Sequence, residues 1–150
     1  MLKQENVILD VPASSPASSK ETLFESISKV ALETGVISDA GAFVEGLKAR
    51  ETVSSTGFMD GFAIPHCKSN AVKNPAVFFI RLQEGIEWGL SDNTAAQYMF
   101  CLAISDSDDG SQLKVLSKLS RKLVHADFRS QLKTAASAAD IVEIVNQAIC

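Results

Sequence analysis

The sequence predicts an α/β fold, with a single mixed β-sheet of about five strands flanked by helices on both faces. Two observations carry this. The apolar runs Ala76 to Leu82 and Tyr98 to Ile104 have strand length but not the alternation of a half-wet strand, so both of their faces must be covered. Around them lie segments whose apolar residues recur at helical spacing, and short β-to-β connections among these make the sheet mixed. At 150 residues, 46% of them apolar and 21% charged, the chain matches one domain spanning residues 1–150 with a sizeable core.

Taken in order, Val7, Ile8 and Leu9 form a short strand that leaves into the proline- and serine-rich loop PASSPASS. Ser18 and Glu21 have capping-box spacing, and Leu23, Phe24, Ile27, Val30 and Ala31 then mark a helix of about four turns that Gly35 stops. Ser38 is the expected cap of a second helix, with Phe43, Val44 and Leu47 on one face, ending near Arg50 at the stretch TVSSTG. The triplet Phe62-Ala63-Ile64 must stop at Pro65, which has no N–H for a ladder, and this places His66 at a strand terminus.

The segment EGIEWGLSDNT, between the two long strands, reads as a turn and a short extended piece anchored by Trp88. Beyond the acidic loop SDSDDG, the residues Leu113, Leu116, Leu119 and Leu123 predict a third helix. Phe128 with Leu132 predicts a short fourth, and Ser137 with Asp140 opens a last helix carrying Ile141, Ile144 and Val145.

Composition narrows the function. No apolar stretch approaches the roughly 20 residues of a membrane-spanning helix, and the N-terminus MLKQENVILD lacks an apolar core after its charges, so direct membrane insertion and a secretory signal are not expected. A cytoplasmic location follows as the expectation. The three cysteines, Cys67, Cys101 and Cys150, match neither a disulfide framework nor a zinc pair and read as reduced thiols. A formal charge of -4, with basic residues gathered only at Lys114, Lys118, Arg121 and Lys122, lacks the footprint of nucleic-acid binding and suits a basic protein partner.

Of the two histidines, His125 sits at a predicted helix end, an ordinary place for an imidazole. His66 follows FAIP, so a rigid turn presents it from a scaffold, where it either reacts or caps the strand end through a neighbouring carbonyl. Neutral imidazole attacks phosphorus well and leaves again readily, and phosphoryl transfer otherwise demands positioning and charge stabilisation. The stretch RETVSSTG just upstream offers an arginine fork and hydroxyl donors for phosphoryl oxygens.

The segment ARETVSSTGFMDGFAIPHCKS resembles the enzyme IIA domain of the fructose-mannitol family of the bacterial phosphoenolpyruvate-dependent sugar phosphotransferase system. KNPAVFFIRLQEGIEWG, SQLKVLSKLSRKL and VILDVPASSPASSKETL extend the likeness over nearly the whole chain. The resemblance implies that His66 accepts a phosphoryl group from the phosphocarrier protein HPr and hands it to a IIB domain of a sugar permease. It implies that Arg50 holds the phosphate, that Ser55 and Thr56 form the hydroxyl-bearing loop, and that no metal or organic cofactor is needed.

Three departures stand out. Gln112 occupies the place of a second histidine found in many relatives; it can donate a hydrogen bond but cannot become cationic. Met59 stands where a small residue is usual, and Cys67 follows the histidine where glycine is common. Asp106, Asp108 and Asp109 lie just before Gln112 and offer a negative patch for steering a basic partner. Alternative readings are a regulator that signals by its phosphorylation state, as in the nitrogen-related branch, and an inactive, binding-only homologue. A Cys67–His66 hydrolase is a third, opposed by the tendency of adjacent side chains on extended backbone to point apart.

Overall fold

The computed structural model describes residues 2–11 and 19–150. A 3-10 turn, Gln4–Asn6, leads into β1 (Val7–Val11), followed by helices α1 (Lys20–Glu33) and α2 (Ala40–Val53). Then come β2 (Phe62–Ala63), β3 (His66–Ser69), β4 (Ala76–Ile86) and β5 (Ala96–Ser105), and helices α3 (Ser111–Lys122), α4 (Ala126–Thr134) and α5 (Ala138–Ile149) close the chain. The sheet runs β1-β4-β5-β2, with β3 also paired to β5. β1 lies parallel to β4, β4 antiparallel to β5, and β2 and β3 both parallel to β5, so the sheet is mixed.

Both faces of the central strands are covered, which explains their near-continuous apolar sequence. Phe78, Ile80, Leu82, Met99, Cys101 and Ala103 pack against Leu23, Phe24 and Ile27 of α1 and Phe43 and Leu47 of α2. The alternate positions, Val77, Phe79, Phe100, Leu102 and Ile104, meet Val115 and Leu119 of α3, Leu132 of α4 and Ile141 and Val145 of α5.

Several local expectations are corrected. Most of the PASSPASS loop, including Ser18, lies outside the described residues, and α1 is capped by Ser19, whose hydroxyl accepts the Thr22 N–H at 3.2 Å. The Thr22 hydroxyl in turn accepts the Ser19 N–H at 3.0 Å. Asp39, not Ser38, caps α2 by accepting the Ala42 N–H at 3.1 Å, and a carboxylate suits the positive end of a helix better than a hydroxyl. α2 also continues past Arg50 to Val53. On α3 the buried residues are Val115 and Leu119, continued by the buried Leu123, whereas Leu113 is 48% exposed because it lies off this i, i+4 stripe.

The strand does stop before Pro65, but it resumes at His66, which opens β3. Pro65 keeps the chain in register through its carbonyl, which accepts the Leu102 N–H at 3.1 Å. His66 is therefore the first residue of a second edge segment, placed opposite Leu102.

Candidate functional site

The site is built where the last turn of α2 meets the break between β2 and β3. Gly46 permits this meeting, since a Cβ at that position would overlap the sulfur of Cys67. Arg50 lies one turn further along the same helix face, and Cys67 is the chain neighbour of His66, so the close approach at Gly46 carries Arg50 to the imidazole.

A circuit of hydrogen bonds holds the histidine. His66 Nδ1 lies 2.7 Å from the Ile64 carbonyl, and because a carbonyl only accepts, Nδ1 carries the proton. Nε2 is then the nitrogen with the free electron pair, and it accepts the Nε–H of Arg50 at 3.2 Å. Arg50 is anchored from its other side by donating from Nη1 to the Ser54 carbonyl at 2.9 Å. The Ile64 carbonyl is available because the ladder is interrupted there, and its own N–H donates to the Thr56 carbonyl at 3.0 Å.

The half-buried imidazole is held below its ordinary value by burial, with the Arg50 charge acting in the same direction. The bond to Ile64 and the Glu51 carboxylate oppose this shift. At neutral pH the ring is thus neutral and nucleophilic at Nε2. Cys67 faces the core shared with α1 and α2, and burial pushes its thiol up to about 11, so it is neither a thiolate nor a partner for His66. This removes the hydrolase reading.

The other sequence-predicted residues take different places. The Ser55 hydroxyl donates to the Gly89 carbonyl at 3.1 Å and accepts the Gly57 N–H at 3.0 Å. The buried Thr56 bonds through both its hydroxyl and its N–H to the carboxylate of Glu51. Gln112 sits in the first turn of α3, and its buried Oε1 has no hydrogen-bond partner among the described residues. Asp108 and Asp109 lie in the turn that leads into α3, where they accept the N–H groups of Gly110 and Ser111, each at 3.0 Å.

Two participants escaped the sequence reading, the Glu51 side chain and the Ile64 carbonyl. The signal for the first was an acidic residue at the C-terminal end of a helix, where the dipole disfavours it. For the second it was the residue before a proline in a broken strand.

A family model for the phosphoenolpyruvate-dependent sugar phosphotransferase system, EIIA 2, matches residues 1–148. The chain belongs to this family. It is a phosphocarrier of that system, in line with the resemblance carried by its motifs. A fructose-like EIIA component from Escherichia coli K12 is 34% identical over 128 residues, covering 85% of this chain and 86% of its own. A fructose-specific EIIABC component of Bacillus subtilis 168 is 35% identical over 128 residues, 85% of this chain but 20% of its own length. Among solved structures, the nitrogen regulatory protein IIA-Ntr of Neisseria meningitidis superposes with a TM-score of 0.86 at 32% identity, covering 96% of this chain and 95% of that one.

Proposed function

We propose that His66 receives a phosphoryl group at Nε2 from the phosphohistidine of HPr and passes it to a IIB domain, in the cytoplasm. The observation that carries this reading is the tautomer: Nδ1–H is committed to Ile64, and the Nε2 electron pair faces a guanidinium. As the bond from Nε2 to phosphorus forms, the donor's N–P bond breaks and its electron pair returns to the donor imidazole. Arg50 transfers its hydrogen bond from Nε2 to a phosphoryl oxygen, and its anchor at Ser54 keeps the fork in place.

Ser55 and Thr56 support the site by shaping the loop beneath it, and Gln112 contributes an uncharged amide toward the phosphate. The EIIABC architecture of the B. subtilis relative, which joins a IIA part to IIB and IIC parts, supports a IIB domain as the recipient. No helix among the described residues is long and apolar enough to cross a membrane, which is compatible with action on protein partners.

Incubation with phosphoenolpyruvate, enzyme I and HPr, followed by mass measurement, tests this reading. We expect one acid-labile phosphoryl group, none in His66→Gln, and a rate about 10²–10³-fold lower in Arg50→Ala, the range for loss of one preorganised donor. A phosphoryl group that persists in His66→Gln overturns the assignment. The likeness to the nitrogen regulatory protein favours a second reading, signalling by phosphorylation state. Deleting the chain separates the two: lost uptake of a fructose-type sugar supports transport, and unchanged uptake supports signalling.

A further inference from the structure

Glu51 is an acid in an unfavourable place. It lies in the last turn of α2, where the carbonyl ends of the helix already carry negative partial charge, and its side chain is only 7% exposed. Two sets of contacts offset these costs. The Lys20 ammonium stands 3.5 Å away, itself held by the Trp88 carbonyl at 3.2 Å and by the face of the Trp88 ring. The carboxylate also takes both donors of Thr56, the N–H at 3.2 Å and the hydroxyl.

From Thr56 the chain of bonds continues to the imidazole. The Thr56 carbonyl accepts the Ile64 N–H at 3.0 Å, and the Ile64 carbonyl accepts the His66 Nδ1–H at 2.7 Å. Thr56 is itself buried, so losing Glu51 would strand two of its donors and release the backbone that fixes Ile64. Charge acts in the same sense. A ring that carries Nδ1–H and an N–P bond is positive, and a nearby carboxylate favours it.

We propose that Glu51 is a positioning residue for the phosphoryl transfer assigned to His66, acting through Thr56 and Ile64 to hold the imidazole in the tautomer that leaves Nε2 free. The proposal rests on that assignment but is read out separately, by 15N NMR of the histidine ring in the full chain. The wild type shows a protonated Nδ1 and a bare Nε2. Glu51→Ala gains the opposite tautomer, and phosphorylation by phospho-HPr slows by at least about tenfold, the scale set by groups that orient a reacting side chain.

Glu51→Gln keeps one acceptor oxygen for the Thr56 N–H and falls between wild type and Glu51→Ala in both measurements. If Glu51→Ala does not fold, Glu51→Gln carries the test alone. A wild-type tautomer in the folded variants overturns the proposal, whether or not the rate falls. A wild-type chain that takes no phosphoryl group on His66 sinks the acceptor assignment instead, while a tautomer shift in the Glu51 variants still upholds the positioning chain.

Discussion

The centre of the sheet and its β2–β3 edge use the same backbone chemistry to opposite ends. Between β4 and β5 the antiparallel register runs without interruption from Ala76 and Ala103 to Arg81 and Tyr98. There the main-chain groups are committed to the neighbouring strand and the side chains to two cores. At the edge, Ile64 and Pro65 separate two short stretches that both pair with β5. The gap leaves the Ile64 carbonyl for an imidazole, so the proposed phosphoryl acceptor sits where the ladder fails. Continuity gives stability, and interruption gives a backbone acceptor with an imidazole beside it.

Substitution in the centre gives the largest test of this contrast. Phe100 is fully buried and its ring lies 5.0 Å from that of Phe79. Phe100→Ala should cost about 3–5 kcal/mol in urea unfolding, whereas His66→Gln should change stability far less while abolishing phosphoryl uptake. Comparable unfolding midpoints for the two variants would erase the division of labour.

A smaller effect is expected at Gly46, which couples the edge to α2. Gly46→Ala should destabilise by about 1–3 kcal/mol through its clash with Cys67 and slow phosphorylation by moving Arg50. In a Cys67→Ala background the clash is gone, and the same change should stabilise by up to about 1 kcal/mol because alanine favours helix over glycine. If the sign does not reverse between backgrounds, Gly46 does not set the approach of α2 to β3.

The smallest effect concerns pH. Because the folded chain holds the His66 pKa below its ordinary value, the folded state binds fewer protons than the unfolded chain in acid. This contribution to stability is complete above the unfolded imidazole pKa of about 6.5 and is lost as pH falls through the depressed folded value. His66→Gln should flatten that part of the stability profile, and phosphorylation of the wild type should lose rate over the same window as the nucleophile is protonated. An acid limb centred above the ordinary imidazole value would contradict the depressed pKa.

Much of this was legible in the sequence because it is local. Apolar runs without alternation gave the doubly covered strands, Gly35 ended α1 with φ at +77°, and Ser137 capped α5. The caps of α1 and α2 fall one residue beyond the predicted ones, at Ser19 and Asp39, because adjacent polar residues have similar capping preference and spacing alone does not separate them. Leu113 helps to mark α3 in the sequence, but the helix phase turns it outward.

Around His66, the sequence by itself determined the kinds of group: an imidazole after a proline, an arginine at a helix end, and small hydroxyl residues in a turn. Tertiary structure decided which nitrogen of His66 is free, that Arg50 reaches it, and that Glu51 and Thr56 hold Ile64. Sequence patterns report neighbours a few residues apart along one helix or strand. The bond from residue 50 to residue 66 exists only because α2 packs closely over β3 at Gly46 and Cys67, and no periodicity within either segment encodes that contact.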